Sequence, residues 1–206
     1  GAGDLVIELM KAPLLILLHG ASVSLGDTET MWQGRAFADR YGYRLLIPQG
    51  QGNVWNYDGD VGFIADLIDT VQRERGASSA VFVAGWSNGA ILSQILACDQ
   101  ASRITAVVSL AGPLPFAHAC SPARPVGVAL IAGTADSMIP ITGGVFGLRG
   151  EEEAFQFWQN LAQCSGAASQ GSAFALEKNG LSVTTTASNC KAPVQIDETD
   201  WQALTR

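Results

Sequence analysis

Ala80-Val81-Phe82-Val83-Ala84-Gly85-Trp86-Ser87-Asn88-Gly89-Ala90-Ile91-Leu92-Ser93-Gln94-Ile95-Leu96 decides the fold of this chain of 206 residues. Ala80–Ala84 is a short apolar run that predicts a strand. Ala90–Leu96 is apolar at helical spacing. Between them stands Gly85-Trp86-Ser87-Asn88-Gly89, a G-x-S-x-G. The pattern alone is weak, because Ser and Gly are common. Here a strand runs straight in and a helix straight out, the context that a nucleophile elbow requires. Glycine two residues either side of the serine lets strand and helix pass close together. The turn lifts the Ser87 hydroxyl above a sheet and aims the Asn88 N–H and the helix N-terminus at the same point. Ser87 is the expected nucleophile; an ordinary glycine-rich turn is the competing reading.

Working outward, short apolar runs alternate with amphipathic stretches. Strands are predicted at Leu14–Leu18, Tyr43–Ile47, Ile104–Leu110, Val126–Ala132, Leu181–Ala187 and Val194–Ile196, and a reduced one at Asp4–Leu9. Helices are predicted over Trp32–Tyr41 with Gly42 just past its end, over Asp60–Arg75 closed by Gly76, and over Glu151–Cys164. Strands apolar on both faces and separated by helices imply an α/β fold, a mostly parallel central sheet with helices on both faces. Such a sheet binds ligands at the carboxyl ends of its strands, so the loops after Leu18, Pro48, Ala84, Leu110 and Ala132 should share one edge.

Two of those loops carry further chemistry. His19-Gly20 follows the first strand, where a hydrolase of this architecture places its second oxyanion donor; the Ala21 N–H is expected in that role, with Ser22 as the alternative. His19 itself is read as structural. Gly133-Thr134-Ala135-Asp136 follows a later strand. Asp136 comes after the serine in chain order, as the triad acid of such an enzyme does; Asp58 and Asp60 precede it, which counts against them. Trp55 and Trp86 are read as substrate-binding, each able to offer a flat face to an acyl or aromatic group.

The composition narrows the class. Apolar residues make up 48% and charged residues 15%, which excludes a disordered chain. The longest uncharged apolar runs, Ala12–Leu18 and Ala80–Trp86, fall far short of the roughly 20 residues that span a bilayer. A net charge of −7 without Lys/Arg clusters argues against nucleic acid or anionic membrane as partners. Residues 1–206 read as a single domain, with room for it to be incomplete at both ends. No signal peptide is visible and the chain starts with Gly1, so a mature form or a fragment is expected. Cys98, Cys120, Cys164 and Cys190 are too widely spaced for a zinc site, and no metal or cofactor is implied. Two disulfides or four buried thiols remain. Low charge and abundant glycine favour disulfides and a secreted protein, extracellular or periplasmic.

On these residues the chain resembles the secreted α/β-hydrolase esterases that include polyhydroxybutyrate depolymerases and feruloyl and acetylxylan esterases. The resemblance spans about residues 11 to 198. It is carried by Leu17-Leu18-His19-Gly20, Val54-Trp55-Asn56, Asp60-Val61-Gly62-Phe63-Ile64, Gly85–Gly89 and Gly133-Thr134-Ala135-Asp136, with Trp158 before Cys164 and Cys190 before Val194. It implies Ser87 as nucleophile, Asp136 as triad acid and a Cys164–Cys190 disulfide. It also implies hydrolysis of esters of hydroxyalkanoic or hydroxycinnamic acids, or of acetyl esters, as small molecules or polymer.

Three features depart from that family. The loop between Asn56 and Asp60 is short, the N-terminal strands are reduced, and no histidine follows Asp136. His118 is a poor substitute. The segment from Gly112 to Arg124 must descend to start the next parallel strand, so Cys120 should meet Cys98 at the opposite edge, with His118 beside them. A serine peptidase of the same fold, or a non-catalytic binder that lost its base, are the alternatives.

Overall fold

The computed structural model describes residues 12–75, 80–171 and 182–199. The expected strand Asp4–Leu9 and the helix end at Gly76 lie outside them. Eight strands form one sheet: β1 (Leu14–Leu18), β2 (Arg44–Leu46), β3 (Val81–Trp86), β4 (Ala106–Leu110), β5 (Gly127–Gly133), β6 (Gly166–Gly171), β7 (Ser182–Ser188) and β8 (Val194–Thr199). Their order is β2-β1-β3-β4-β5-β8-β7-β6. All pairs from β2 to β8 are parallel; β8–β7 and β7–β6 are antiparallel. In register, Leu18 faces Gly85, Trp86 faces Leu110, Leu110 faces Ile131 and Gly133 faces Thr199. The carboxyl ends of the central strands therefore share one edge.

Five helices are described: α1 (Leu25–Trp32), α2 (Gly34–Tyr41), α3 (Tyr57–Arg75), α4 (Asn88–Asp99) and α5 (Glu151–Leu161). Side chains alternate across each strand. Leu14, Ile16, Leu18, Val81, Val83, Val107, Val128 and Leu130 pack with Ile64 and Ile68 of α3, the buried α4, and Phe155 and Trp158 of α5. Leu15, Leu17 and Ala84 pack in a second cluster with Trp32. Helix α4 is buried from Gly89 to Cys98, which explains why its sequence is apolar there apart from Ser93 and Gln94.

Two elements differ from expectation. The helix predicted over Trp32–Tyr41 is broken at Gln33, which sits at φ 47°, ψ 42°. Trp32 ends one helix and Gly34 begins the next. A Cβ on Gly34 would lie 2.6 Å from Leu17 Cδ1, so the break follows from the close approach to β1. The first helix, α1, starts at a cap where the Ser24 hydroxyl accepts from the Asp27 N–H at 3.2 Å. The last long helix ends at Leu161 rather than Cys164, with Gln163 at φ 54°.

Disulfides join Cys98 to Cys120 and Cys164 to Cys190, closing spans of 22 and 26 residues. In the chain-entropy account each restricts the unfolded chain by about 3 kcal/mol. Removing Cys164–Cys190 as a Ser pair should lower unfolding free energy by that amount, read from urea midpoints. An unchanged midpoint would count against a structural role for this bridge.

Candidate active site

Ser87 stands between β3 and α4 at φ 53°, ψ −118°, a conformation that L side chains rarely adopt. Close packing imposes it. A Cβ on Gly85 would run into the Gly89 carbonyl. One on Gly89 would lie 2.5 Å from the Leu18 and His19 carbonyl oxygens, and one on Gly112 2.5 Å from that of Ser87. The elbow is therefore wedged between the ends of β1 and β4. The Ser87 N–H donates to the Leu110 carbonyl at 2.8 Å. The Ser87 hydroxyl has no hydrogen-bond partner among the described residues. Gly89→Ala should cost about 3 kcal/mol or more, since backbone carbonyls cannot move aside as a flexible side chain can. A urea midpoint close to that of the natural chain would refute this packing.

The loop after β1 is built around His19, which is fully buried. Its Nε2 accepts from the Gly50 N–H at 2.9 Å and lies 3.0 Å from Gln49 Nε2. The ring proton is thereby assigned to Nδ1, which donates to the Gly20 carbonyl at 2.8 Å. Both nitrogens are engaged, so His19 is a brace and not a base. The Ser22 N–H donates to the Asn53 carbonyl at 2.7 Å, which removes Ser22 as an oxyanion donor. The Ala21 N–H has no such partner among the described residues. The Asn88 N–H, first in α4, has no carbonyl one turn before it to bond within the helix.

Trp55, expected to bind substrate, needs correction. It is 3% exposed and stacks on His19 at 4.5 Å between centroids. Its indole N–H donates to the His19 carbonyl at 2.9 Å. Packed under the loop, it has no face to offer. Trp86 remains half-buried, with Gly20 against its ring: a Cβ there would lie 2.8 Å from Cε3.

Two side-chain networks escaped the sequence reading. Asn88 Oδ1 accepts from the Trp55 N–H at 2.7 Å, and its Nδ2 donates to the Tyr57 hydroxyl at 2.6 Å, clamping the first residue of α4. Burial pushes the Tyr57 phenol up, and the bond from Asn88 acts against it. Beneath the elbow, the fully buried Gln94 donates to Ser109 Oγ at 2.9 Å and to the Gly112 carbonyl at 3.1 Å, and accepts from the Trp158 indole at 2.7 Å. Gln94, polar like Ser93 beside it in a mostly apolar helix, is the trace that this network leaves in the sequence.

Asp136 follows β5 at the same edge. Its Oδ1 accepts from the Met138 N–H at 2.8 Å and the Ile139 N–H at 2.9 Å, and its Oδ2 is unpartnered among the described residues. Asp60 Oδ2 accepts from the Asn56 N–H at 2.8 Å, a role at the start of α3. His118 Nε2 lies 3.0 Å from Asp99 Oδ1, beside the Cys98–Cys120 bridge. Asp99 ends α4, whose 12 residues span about 17 Å from the elbow.

No family model matches the chain. It is 30% identical over 127 residues to a poly(3-hydroxybutyrate) depolymerase of Ralstonia pickettii, covering 51% of this chain and 26% of that protein. It is 25% identical over 172 residues to feruloyl esterase B of Neurospora crassa, covering 75% and 53%. The chain thus spans between about a quarter and a half of these relatives. Among solved structures, the acetyl xylan esterase from Aspergillus awamori superposes with a TM-score of 0.67 at 13% identity, over 92% of this chain and 82% of that one. That likeness shows the α/β-hydrolase fold. On that fold the chain is similar in sequence to esterases and to a depolymerase.

Proposed function

We propose that residues 1–206 form one domain that carries the nucleophile of a secreted carboxylic ester hydrolase. The observation that carries this reading is Ser87, a non-glycine residue held at φ 53° with a free hydroxyl at a helix N-terminus. Ser87 Oγ attacks the ester carbonyl as its proton passes to an imidazole. The Asn88 and Ala21 N–H groups hold the developing oxyanion, each worth about 3 kcal/mol. The alkoxide leaves with the imidazole proton, and water then hydrolyses the acyl-serine by the same route. Asp136, its Oδ1 pinned by two backbone N–H groups, presents Oδ2 to orient that imidazole. The mechanism calls for neither metal nor cofactor.

Esters of hydroxyalkanoic or hydroxycinnamic acids, or acetyl esters, are the proposed substrates, supported by the names of the relatives. Two disulfides support an extracellular or periplasmic site of action, and no helix among the described residues is long and apolar enough to cross a membrane. In a longer form that also contains the catalytic histidine, a fluorophosphonate should modify Ser87, as located by peptide mass spectrometry. An adduct elsewhere, or one that persists in Ser87→Ala, would reject the nucleophile.

A further inference from the structure

Two buried ionisable side chains among the described residues, Arg149 and Glu151, lie outside this machinery. Arg149, in the loop between β5 and α5, is 9% exposed. Its guanidinium carbon lies 4.3 Å from the centroid of the Phe157 ring and 5.2 Å from that of Phe116. Nη1 donates to the Pro115 carbonyl at 2.6 Å and the Leu114 carbonyl at 3.2 Å. Nε and Nη2 have no partner among the described residues, and no carboxylate there forms an ion pair with Arg149. Neither nitrogen is sealed from solvent. Burial pushes the guanidinium pKa down, opposed by the charge on Glu153. A cation held this way is costly without a counter-charge, and ring faces offset only part of that cost.

Its position ties it to the elbow. Gly112 abuts the Ser87 carbonyl, and Leu114 follows within about 7 Å of chain. The Phe116 N–H donates to the Gly147 carbonyl at 2.9 Å, and Pro115 bridges Leu148. These bonds zip the loop after β4 to the loop after β5, which carries Asp136. The free Nε–Nη2 edge is a planar fork of two donors, the shape that grips a carboxylate through both oxygens. Phe116, 53% exposed, adds an apolar surface beside it.

We propose that Arg149 seats a carboxylate of the substrate, so that the preferred ester carries a free carboxylate remote from the scissile bond, as the acid end of a hydroxy-acid oligomer does. The ester half of this proposal rests on Ser87 as nucleophile; the seat does not. Binding is measured calorimetrically on Ser87→Ala, which removes turnover, with monomethyl succinate, adipate and sebacate against the matching dimethyl esters. At one length or more, the half-ester should bind at least about tenfold more tightly than the diester. In Ser87→Ala/Arg149→Gln the ratio should fall to near one while a cooperative melt is retained. Arg149→Lys keeps the charge without the fork and should give a reduced ratio; it replaces the Gln variant if that fails to fold. Equal binding of half-ester and diester at every length overturns the seat, as does a ratio undiminished in both variants. Fluorophosphonate labelling of Ser87 is read separately, in a longer form that contains the catalytic histidine. A half-ester preference without labelling supports the seat and removes the ester-hydrolase reading. Labelling without a preference does the reverse.

Discussion

In a form that contains the catalytic base, Ser87→Gly is expected to abolish fluorophosphonate labelling and, at the same time, to raise the melting temperature. The two effects share one cause. The wedge of Gly85, Gly89 and Gly112 holds position 87 at φ 53°, ψ −118°, where an L side chain is strained by about 1–3 kcal/mol. Glycine adopts this conformation freely and loses about 0.5–1 kcal/mol through greater freedom of the unfolded chain. The balance favours the variant by about 1 kcal/mol, or about 2–4 °C for a chain of this size. In a form that also contains the catalytic base, the same substitution should lower kcat by about a millionfold, since the members of a triad act as a unit. Ser87→Ala keeps the strain and loses only the hydroxyl, so it should be equally unreactive without the gain in stability. Differential scanning calorimetry of the three proteins decides. A Gly variant no more stable than the Ala variant would show that the turn stores no strain at the serine.

The elbow was legible because everything that defines it is local. A strand, two glycines, a serine and an apolar helix follow one another within 17 residues. Leu14–Leu18 was legible for the same reason, as a pure apolar run. What escaped depends on neighbours distant in sequence. Trp55 reads as a large ring in a loop at the active edge, and nothing nearby reveals that the His19 ring, 36 residues earlier, stacks on it. Gln94 and Trp158 are 64 residues apart, so their bond has no local signature. Gln33 breaks a helix because Gly34 must approach Leu17, a tertiary demand that overrides helix propensity. Strand β6, Gly-Ala-Ala-Ser-Gln-Gly, has almost no intrinsic strand preference and is ordered by its pairing with β7.

The 206-residue chain is expected to hydrolyse p-nitrophenyl butyrate only slowly, although the proposed nucleophile Ser87 and the proposed oxyanion donors are in place. Its two histidines are both accounted for. His19 has each ring nitrogen bonded in the loop it supports, so freeing it to reach Ser87 would dismantle the loop that carries Ala21. His118 sits with Asp99 at the far end of α4, about 17 Å from the elbow. Without a neighbouring base, a serine hydroxyl is a weak nucleophile at neutral pH. An oxyanion hole that lacks its base still leaves a residual acceleration of about 10³–10⁴ over water, so a faint rate is expected rather than none. A longer form with a histidine on a glycine-rich loop after Asp136 should recover up to about a millionfold in kcat. Asp136→Asn in that form should lose about 10⁴ of it, because the imidazole would be held in the wrong tautomer. Turnover by the 206-residue chain that matches the longer form would overturn this expectation, and His118→Ala would then be the variant to measure. Loss of that activity would place His118 at Ser87, against the position that its bond to Asp99 and the neighbouring Cys98–Cys120 bridge give it. Retention would leave His19 as the sole imidazole in the chain, and the loop after β1 would have to open during catalysis.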